Sequence, residues 1–411
     1  MHFTELALNK PLLKALYEKG YETPTPVQER IIPLVLHGKD VIASAQTGTG
    51  KTAAFALPIL QRLFHQQDIK KGGGKVRAVV VSPTRELAVQ IAEEFKLYGK
   101  YTNLRSAVVF GGTSLEPQKD MLNKGVDILI ATPGRLLDLR KREIVDLSEV
   151  EILVIDEADL MLDMGFIDDV QKIERLCPDS KQILLFSATL PAKVVQLAKT
   201  ILKDPERVEV TPLGATGKQV AQRLYYVPKR NKIELCLHLL RNEIKGTILI
   251  FRRTKNGVDK LEQTLLKNNY NAISLHGDKT QSARQLALND FKAGQASILI
   301  ATDVASRGID IDGLDAVINF DLPNIPETYI HRIGRTGRAG LEGMAYSFCA
   351  ADEKTYVTAI QKIIQGALHV VEDHPYPLDP KAKPPIHKKK GSKHKKGRKS
   401  VASKKNKKRW Y

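Results

Sequence analysis

The sequence predicts an α/β fold in which two doubly wound parallel-sheet domains stand in tandem and a disordered basic tail follows them. Its 411 residues are enough for two domains of ordinary size. Short apolar runs alternate with amphipathic segments along the chain, as in a parallel sheet flanked by helices. Pro and Gly interrupt this rhythm at 211–218. We therefore expect domains at 1–212 and 219–373, a linker at 213–218 and a tail at 374–411.

Each short apolar run is predicted to be a β-strand. The runs of the first domain lie at 41–43, 78–81, 107–109, 128–131, 152–155 and 183–186. Those of the second domain lie at 247–251, 272–275, 298–301, 316–319 and 345–348. The amphipathic segments between them are predicted to be the helices that cross from one parallel strand to the next.

Composition points to a cytoplasmic protein without a membrane partner. Hydrophobic residues make up 42% of the chain, and no run approaches the roughly 20 apolar residues that span a bilayer. Residues 1–5 lack the basic start and apolar stretch of a secretory signal. Cys177, Cys236 and Cys349 are widely separated and odd in number, so the sequence suggests neither a disulfide framework nor a zinc site.

The positive charge of the chain is concentrated in its tail. The net charge is +18, but residues 381–411 hold 15 Lys and Arg and no Asp or Glu, which leaves 49 basic against 46 acidic residues elsewhere. Such a segment is expected to be disordered and to attract phosphate backbones without reading sequence. Trp410 and Tyr411 could stack on bases. The plain alternative is a tail that only improves solubility.

A phosphate-cradling loop follows the first predicted strand and precedes a helical pattern. It comprises Ala45, Gln46, Thr47, Gly48, Thr49, Gly50, Lys51 and Thr52. Glycines at 48 and 50 let the backbone approach phosphates, Lys51 supplies positive charge, and the Thr52 hydroxyl can ligate Mg²⁺. Ala45 stands where the usual pattern has its first glycine. The sequence therefore predicts a site for ATP and Mg²⁺.

An acidic cluster at 156–159 follows the apolar run at 152–155 and completes this site. Asp156 is predicted to reach Mg²⁺, and Glu157 to deprotonate the attacking water as a general base. Phosphoryl transfer needs more positive charge than Lys51 supplies. Arg335 and Arg338 in the second domain are the predicted arginine fingers, against the plain alternative of a solvated basic helix. Hydrolysis would then require the two domains to close.

These motifs, in this order, resemble the DEAD-box family of ATP-dependent RNA helicases over residues 1–372. The resemblance implies two RecA-like domains and ATP-driven, local opening of RNA duplexes. Within the family, residues 156–166 and 276–279 and the short Lys-rich tail look most like the bacterial RhlE-type branch.

The same resemblance implies further nucleotide contacts and a coupling element. Gln28 would hydrogen-bond adenine with Phe3 and Tyr21 packed around the base, and Asp310 would contact the ribose. Ser187 and Thr189 would link hydrolysis to strand separation through contacts with Asp159 and His331.

RNA contacts are also carried over by resemblance. They are Pro83, Thr84, Arg85, Gly111, Gly112, Thr132, Pro133, Gly134 and Arg135 in the first domain, and Arg253, Gln281, Arg284 and Thr302 in the second. Amides, hydroxyls and arginines of this kind suit phosphate and 2′-OH oxygens rather than base edges. Binding of single strands and short duplexes is therefore expected to be largely indifferent to sequence.

Two other functions remain open on the same frame. One is a DNA-directed helicase, and the other is an ATP-gated RNA clamp or scaffold with little unwinding. The implied partners beyond RNA are ribosome-assembly or RNA-degradation proteins. The oligomeric state is open, with a monomer as the default expectation.

Overall fold

In the part of the chain that the structure describes, the strands form two seven-stranded parallel sheets, each flanked by helices. The computed structural model describes residues 1–45, 48–65, 75–209, 220–306, 311, 313–337 and 343–379. The predicted linker at 213–218 and the basic segment from 380 onward lie outside the described residues. None of the described helices is both long and apolar enough to cross a membrane.

The first sheet comprises the described strands up to residue 209. They are β1 (Val41–Ser44), β2 (Ala78–Val81), β3 (Ser106–Val109), β4 (Ile128–Ala131), β5 (Ile152–Ile155), β6 (Gln182–Ser187) and β7 (Glu206–Glu209). The helices are α1 (Lys10–Glu18), α2 (Pro26–Leu36), α3 (Lys51–His65), α4 (Arg85–Tyr98), α5 (Glu116–Asn123), α6 (Pro133–Lys141), α7 (Ala158–Asp163), α8 (Ile167–Leu176) and α9 (Ala192–Ile201).

The second sheet comprises the described strands from residue 220 onward. They are β8 (Val220–Tyr226), β9 (Ile248–Phe251), β10 (Ala272–Leu275), β11 (Ile298–Ala301), β12 (Ala316–Asn319), β13 (Gly343–Cys349) and β14 (His369–Val370). The helices are α10 (Lys232–Asn242), α11 (Lys255–Lys267), α12 (Gln281–Lys292), α13 (Asp303–Ser306), α14 (Pro326–Ile333) and α15 (Lys354–Ile364). Short 3₁₀ turns lie at Phe3–Glu5, Lys229–Asn231 and Ala351–Glu353.

The two sheets have the same strand order. The first runs β3-β4-β2-β5-β6-β1-β7 and the second β10-β11-β9-β12-β13-β8-β14. Counted from its own first strand, each sheet is therefore 3-4-2-5-6-1-7, and its paired strands are parallel. The predicted fold class is confirmed, and the similar rhythm of the two halves corresponds to a repeated topology.

The apolar runs form strands because both faces of each sheet are covered. In β2, Val80 belongs to one hydrophobic core layer, whereas Val79 and Val81 belong to the layer on the opposite face. Parallel sheets between two layers of helices bury every residue of their central strands. This explains why all four residues of β2, β4 and β5 are buried.

Three strands at or beside sheet edges were not predicted from the sequence. The β7 strand reads Glu-Arg-Val-Glu, and only Val208 is buried. In β8, Gln222 and Arg223 interrupt the apolar run, and β14 is two exposed residues long. Edge strands carry charged side chains that lower their apolar signal. Pairing with a neighbour, rather than local pattern, defines these strands.

The predicted start of the tail at 374 is too early. Residues 371–379, here called the strap, return to the second sheet: Leu378 N donates to Tyr226 O at 2.9 Å. The His374 ring lies edge-on to Tyr225 at 5.5 Å between centroids, and Tyr376 packs against the apolar core. The strap packs because its aromatic side chains find an apolar face beside β8.

Candidate active site

The candidate residues follow the carboxyl ends of the strands, and strand order divides them into two groups. In the first sheet, the candidate phosphate loop, the acidic residues and the coupling residues follow β1, β5 and β6, which are neighbours, whereas Phe3, Tyr21 and Gln28 precede β1. The nucleic-acid candidates follow β2, β3 and β4, which form the other half. The second sheet repeats the division, with nucleic-acid candidates after β9, β10 and β11. Ligands of open α/β sheets bind at this edge, so the candidate nucleotide site and the candidate nucleic-acid site lie side by side.

The phosphate loop continues from β1 into α3, which begins at Lys51. Gly48 and Gly50 have φ of +81° and +90°, a region that side chains other than hydrogen rarely adopt. A Cβ on Gly50 would lie 2.4 Å from Gln28 Nε2. Glycine is therefore required at 50 by both backbone and space. Gln46 and Thr47 lie outside the described residues.

Thr25 and Gln28 hold this loop from α2. Thr25 Oγ1 donates to Thr49 O at 2.8 Å, and Gln28 Nε2 donates to Gly50 O at 3.2 Å. Gln28 Oε1 accepts from Thr25 N at 2.9 Å, the reciprocal half of a capping box. The role of Thr25 was missed, although Thr-x-x-Gln before a helix is a recognised cap signature. The Gln28 amide keeps a second N–H and a second lone pair for another ligand.

A cleft of about 630 Å³ opens beside the loop. Phe3, Tyr21 and Gln28 line it together with Lys51 and Asp156. Phe3 is buried, whereas Tyr21 is 42% exposed. The cleft thus brings the three predicted adenine contacts to the phosphate loop. Asp310, the predicted ribose contact, lies outside the described residues.

Lys51 and Glu157 form a buried ion pair across the cleft. Lys51 Nζ lies 2.6 Å from Glu157 Oε1. Burial alone would lower the pKa of Lys51, but the carboxylates of Glu157 and Asp156 outweigh it and raise that pKa. Glu157 caps α7 with φ 54° and ψ 55°, a left-handed conformation that costs a non-glycine residue of order 1–3 kcal/mol. The turn directs this carboxylate at the loop.

Asp156 fits a divalent cation. Its Oδ1 is buried with no hydrogen-bond partner in the described part of the chain. Burial is the main cause that raises the pKa of Asp156 to about 7, against the opposing effect of Lys51. The described residues contain no cluster of three acidic, His or Cys side chains suited to a metal. Mg²⁺ needs none, because it binds through one or two carboxylates, waters and phosphates. Thr52, which lines the cleft, would be the second protein ligand.

Asp159 connects α7, β6 and the second domain. Its Oδ2 accepts from Thr189 N at 2.9 Å and Thr189 Oγ1 at 2.7 Å, and its own N–H donates to Ser187 Oγ at 3.1 Å. His331 Nε2 of α14 lies 3.6 Å from the same Oδ2. Burial would raise the pKa of Asp159, but His331 and the Thr189 hydrogen bonds outweigh it and lower that pKa. The four predicted coupling residues therefore meet at one point.

Arg335 of the second domain lies beside the acidic residues of the first domain. It lines an interdomain cavity of about 130 Å³ together with Glu157, Asp159 and His331. Arg332, three residues earlier, is structural instead, because its fork binds both Asp303 carboxylate oxygens at 2.6 and 2.8 Å. Arg332 is therefore already paired within the second domain, unlike the predicted finger Arg335, which lines the interdomain cavity. Arg338 lies outside the described residues.

The nucleic-acid candidates of the first domain form the loops after β2, β3 and β4. Thr84 caps α4 by accepting from Leu87 N, and a Cβ on Gly112 would meet the Arg85 guanidinium at 2.0 Å. Arg135 Nη2 donates to Thr113 O at 3.0 Å. Pro83 precedes α4, and Thr132 and Pro133 lie at the start of α6. A Cβ on Gly111, which follows β3, or on Gly134 of α6 would have no neighbour within 4 Å.

Gln281 and Arg284 lie at an interdomain seam. Arg284 Nη2 lies 3.0 Å from Glu86 Oε1, and Gln281 bonds both Glu86, at 3.3 Å, and Arg85, at 3.5 Å. The sequence predicted these two residues as RNA contacts and did not pair them with Glu86. A pairing across 198 positions has no local signal in a sequence. Thr302 follows β11, and Arg253 follows β9.

Two family models match the chain. Residues 25–198 match the DEAD/DEAH box helicase family, and residues 231–340 match the helicase conserved C-terminal domain. The chain is 44% identical over 370 residues to the DEAD-box ATP-dependent RNA helicase RhpA of Helicobacter pylori strain B128, covering 90% of this chain and 74% of that protein. It is 42% identical over 360 residues to the DEAD-box ATP-dependent RNA helicase CshA of Bacillus subtilis strain 168, covering 88% and 72%.

Solved structures show the same similarity. S. cerevisiae Dbp5 bound to RNA and ADP BeF3 superposes with a TM-score of 0.80 at 34% identity, covering 90% of this chain and 95% of that chain. A DEAD box protein from Methanococcus jannaschii has a TM-score of 0.51 at 38% identity, covering 90% and 99%.

Proposed function

The chain belongs to the DEAD/DEAH box family of ATP-dependent RNA helicases, and from that premise we propose that it couples ATP binding and hydrolysis to local, largely sequence-independent opening of RNA duplexes. One observation carries the proposal. The candidate phosphate-loop and acidic residues and the candidate RNA residues occupy adjacent halves of the carboxyl edge of the first sheet, and residues of the second domain face that edge across the interdomain cavity. Closure of the domains would therefore affect both ligands together.

In the first domain, we assign adenine to Gln28, Phe3 and Tyr21 and the phosphates to the loop at 45–52. Bound phosphates would compete with Glu157 for Lys51, because both are anions that the single ammonium group can pair with. Glu157 is then available to take a proton from the attacking water. Thr52 and Asp156 would hold Mg²⁺, which when bound neutralises charge on the β- and γ-phosphates.

In the second domain, we assign Arg335 and Arg338 to the charge that develops on the γ-phosphate. Arg335 belongs to the segment after α14, whose His331 faces Asp159. A shift of α14 would thus be felt by Thr189 and Ser187 through the Asp159 carboxylate. If ATP and RNA each favour the closed state, each tightens the binding of the other by the same factor.

RNA-stimulated ATP hydrolysis tests the proposal directly. We expect single-stranded RNA to increase the ATPase rate and DNA of the same base sequence to increase it less; equal stimulation by DNA would favour the DNA-directed helicase. A displacement assay on a short RNA duplex separates unwinding from clamping. Strand release that requires ATP supports the helicase. Stable RNA binding with a non-hydrolysable analogue, without strand release in ATP, would favour the clamp.

Replacing Gly50 with alanine should weaken ATP binding. Alanine at a φ near +90° would be strained by about 1–3 kcal/mol and would displace Gln28. The free loop is expected to relax this strain by leaving the conformation that binds ATP, so ATP binding would have to restore it, which corresponds to an affinity lower by roughly five- to 150-fold. Calorimetric titration with ATP and Mg²⁺ measures the change. The control is Gly277→Ala, because a Cβ there would have no neighbour within 4 Å, and its ATP affinity should equal that of wild type. Wild-type affinity in Gly50→Ala would contradict the assigned fit.

Deleting residues 381–411 should weaken RNA binding and flatten its dependence on salt. The segment carries 15 basic residues, and each phosphate neutralised adds about 0.7 to the salt slope for a single strand. The cut leaves the strap in place, so the two domains should still hydrolyse ATP. A second truncation after residue 370 removes the strap as well and should lower the thermal midpoint. An unchanged slope in the first truncation would leave the tail as a solubiliser only.

Finer assignments rest on sequence alone. We propose an RhlE-type branch from residues 156–166 and 276–279, whereas the relatives above are named RhpA and CshA. A cytoplasmic, monomeric protein that acts in ribosome assembly or RNA turnover is the accompanying prediction. Crosslinking in cells followed by sequencing of the bound RNA tests the pathway.

A further inference from the structure

We infer that Glu353 is a positioning residue for RNA binding: with Lys232, it orients the Arg253 guanidinium to receive a backbone phosphate at the carboxyl edge of the second sheet. The inference rests on the proposed RNA-binding function and deepens it. It adds two residues that the sequence did not single out, and neither is expected to touch RNA.

A buried ion pair lies beneath Arg253. Lys232 begins α10 and Glu353 ends the 3₁₀ turn before α15. Lys232 Nζ lies 2.7 Å from Glu353 Oε2 and donates to Phe320 O at 2.8 Å. Glu353 Oε2 also accepts from Ala350 N at 3.0 Å. A buried carboxylate with this many donors has one stable position.

The other oxygen of Glu353 holds Arg253. Arg253 Nη2 donates to Glu353 Oε1 at 2.9 Å and to Leu322 O at 2.9 Å, while Arg253 N donates to Asp321 Oδ2 at 3.0 Å. One corner of the fork is therefore anchored. Its Nε and Nη1 groups have no hydrogen-bond partner in the ranges that the structure describes, and a planar guanidinium held at one corner presents its remaining donors in a fixed direction.

The charges of this cluster do not balance. It contains three cations, Lys232, Arg252 and Arg253, and two carboxylates, Asp321 and Glu353. Burial would raise the pKa of Asp321, but Arg252 and Lys232 outweigh it and lower that pKa. One positive charge remains in excess, and the Arg253 side chain is 42% exposed, against 17% or less for the other four. Arg253, which follows β9, therefore carries the excess positive charge of the cluster at the surface.

The chain offers a matched neighbour as a control. Asp352 precedes Glu353 in the same 3₁₀ turn and pairs with Lys229 at 3.3 Å. This second Lys–carboxylate pair does not touch Arg253. Replacing both members of either pair by apolar residues leaves net charge unchanged. If only net charge matters, the two double variants should have equal RNA affinity. If Glu353 positions Arg253, only the variant that lacks the Lys232–Glu353 pair should lose RNA affinity.

The test compares Lys232→Met/Glu353→Leu with Lys229→Met/Asp352→Leu in the full chain. Equilibrium binding of a labelled oligouridylate is measured over a range of salt concentrations. We expect the first variant to bind the oligouridylate roughly tenfold more weakly than wild type, which is the scale of one charged hydrogen-bonded contact. The slope of log affinity against log salt concentration should be lower by about 0.7. Arg253→Ala should show the same loss, and the second variant should match wild type. The loss should appear in the KM for RNA more than in turnover at saturating RNA.

Thermal unfolding checks that the variants fold. Both partners are replaced together because removing a whole buried ion pair often leaves stability unchanged, whereas removing one partner lowers it strongly. Lys232→Met/Glu353→Gln restores an acceptor of the same length and should recover part of the affinity, and this variant carries the test if the leucine variant does not fold. Wild-type affinity and slope in the folded leucine variant, or in Arg253→Ala, would overturn the inference. RNA-stimulated ATPase of the wild type is scored separately, so its absence would reject the proposed function instead.

Discussion

Replacing Glu157 with glutamine should abolish ATP turnover while ATP and RNA still bind. The glutamine has the same length, so it can still accept from Lys51, which lies 2.6 Å from Oε1, but it cannot take a proton from water. General-base catalysis contributes about 10²- to 10⁴-fold, and we expect a loss of that size in single-turnover hydrolysis. Both residues pay the same left-handed backbone cost at 157, so the substitution tests chemistry rather than strain.

The control for this result is Asp168→Asn, which removes one negative charge at an exposed position in the first turn of α8. Its hydrolysis rate should equal that of wild type. Nucleotide and RNA affinities of Glu157→Gln are measured in parallel. Normal turnover in Glu157→Gln would remove the residue from the role of base.

Replacing Arg335 with lysine should produce a loss of similar or greater size. Arg335 is 5% exposed and lines the interdomain cavity with Glu157. Lysine keeps the charge but lacks the planar fork that spans two phosphate oxygens, and an arginine finger is worth about 10³- to 10⁵-fold in phosphoryl transfer. We expect the loss in the hydrolysis step, measured in single turnover at saturating ATP and RNA, with ATP affinity reduced much less.

Arg332→Lys is the control for Arg335→Lys. Arg332 is buried and its fork is occupied by Asp303, with Nη1 donating to Asn319 Oδ1 and Asp321 O. Its substitution should therefore lower the thermal midpoint, because lysine cannot make this set of bonds. If Arg335→Lys instead lowered the midpoint and left single-turnover hydrolysis unchanged, Arg335 would be a structural residue like its neighbour.

The central strands and the phosphate loop could be predicted because their signals are local. The runs that became β4 and β5 are apolar throughout because both faces of those strands are covered. The loop is marked by Gly48 and Gly50, whose positive φ needs glycine. The edge strands β7 and β14 have no such signal. Each pairs with a neighbouring strand on one side only, so charged and polar residues are tolerated in it.

Pairings between distant residues could not be predicted from the sequence. Glu86 with Arg284, and Lys232 with Glu353, each join positions far apart in the chain. Taken singly, these are ordinary charged residues of amphipathic helices and turns, whose usual place is the surface. Only the fold makes them partners.

The fold class, the candidate phosphate loop and the acidic residues after β5 could be predicted from the sequence alone, since each depends on residue types within one turn or strand. Only the tertiary structure showed that Arg335 lines the interdomain cavity whereas Arg332 binds Asp303, that residues 371–379 pack on the second domain, and that Asp159 meets His331. Those outcomes depend on distances between elements, and such distances are set by packing and strand order rather than by any local pattern.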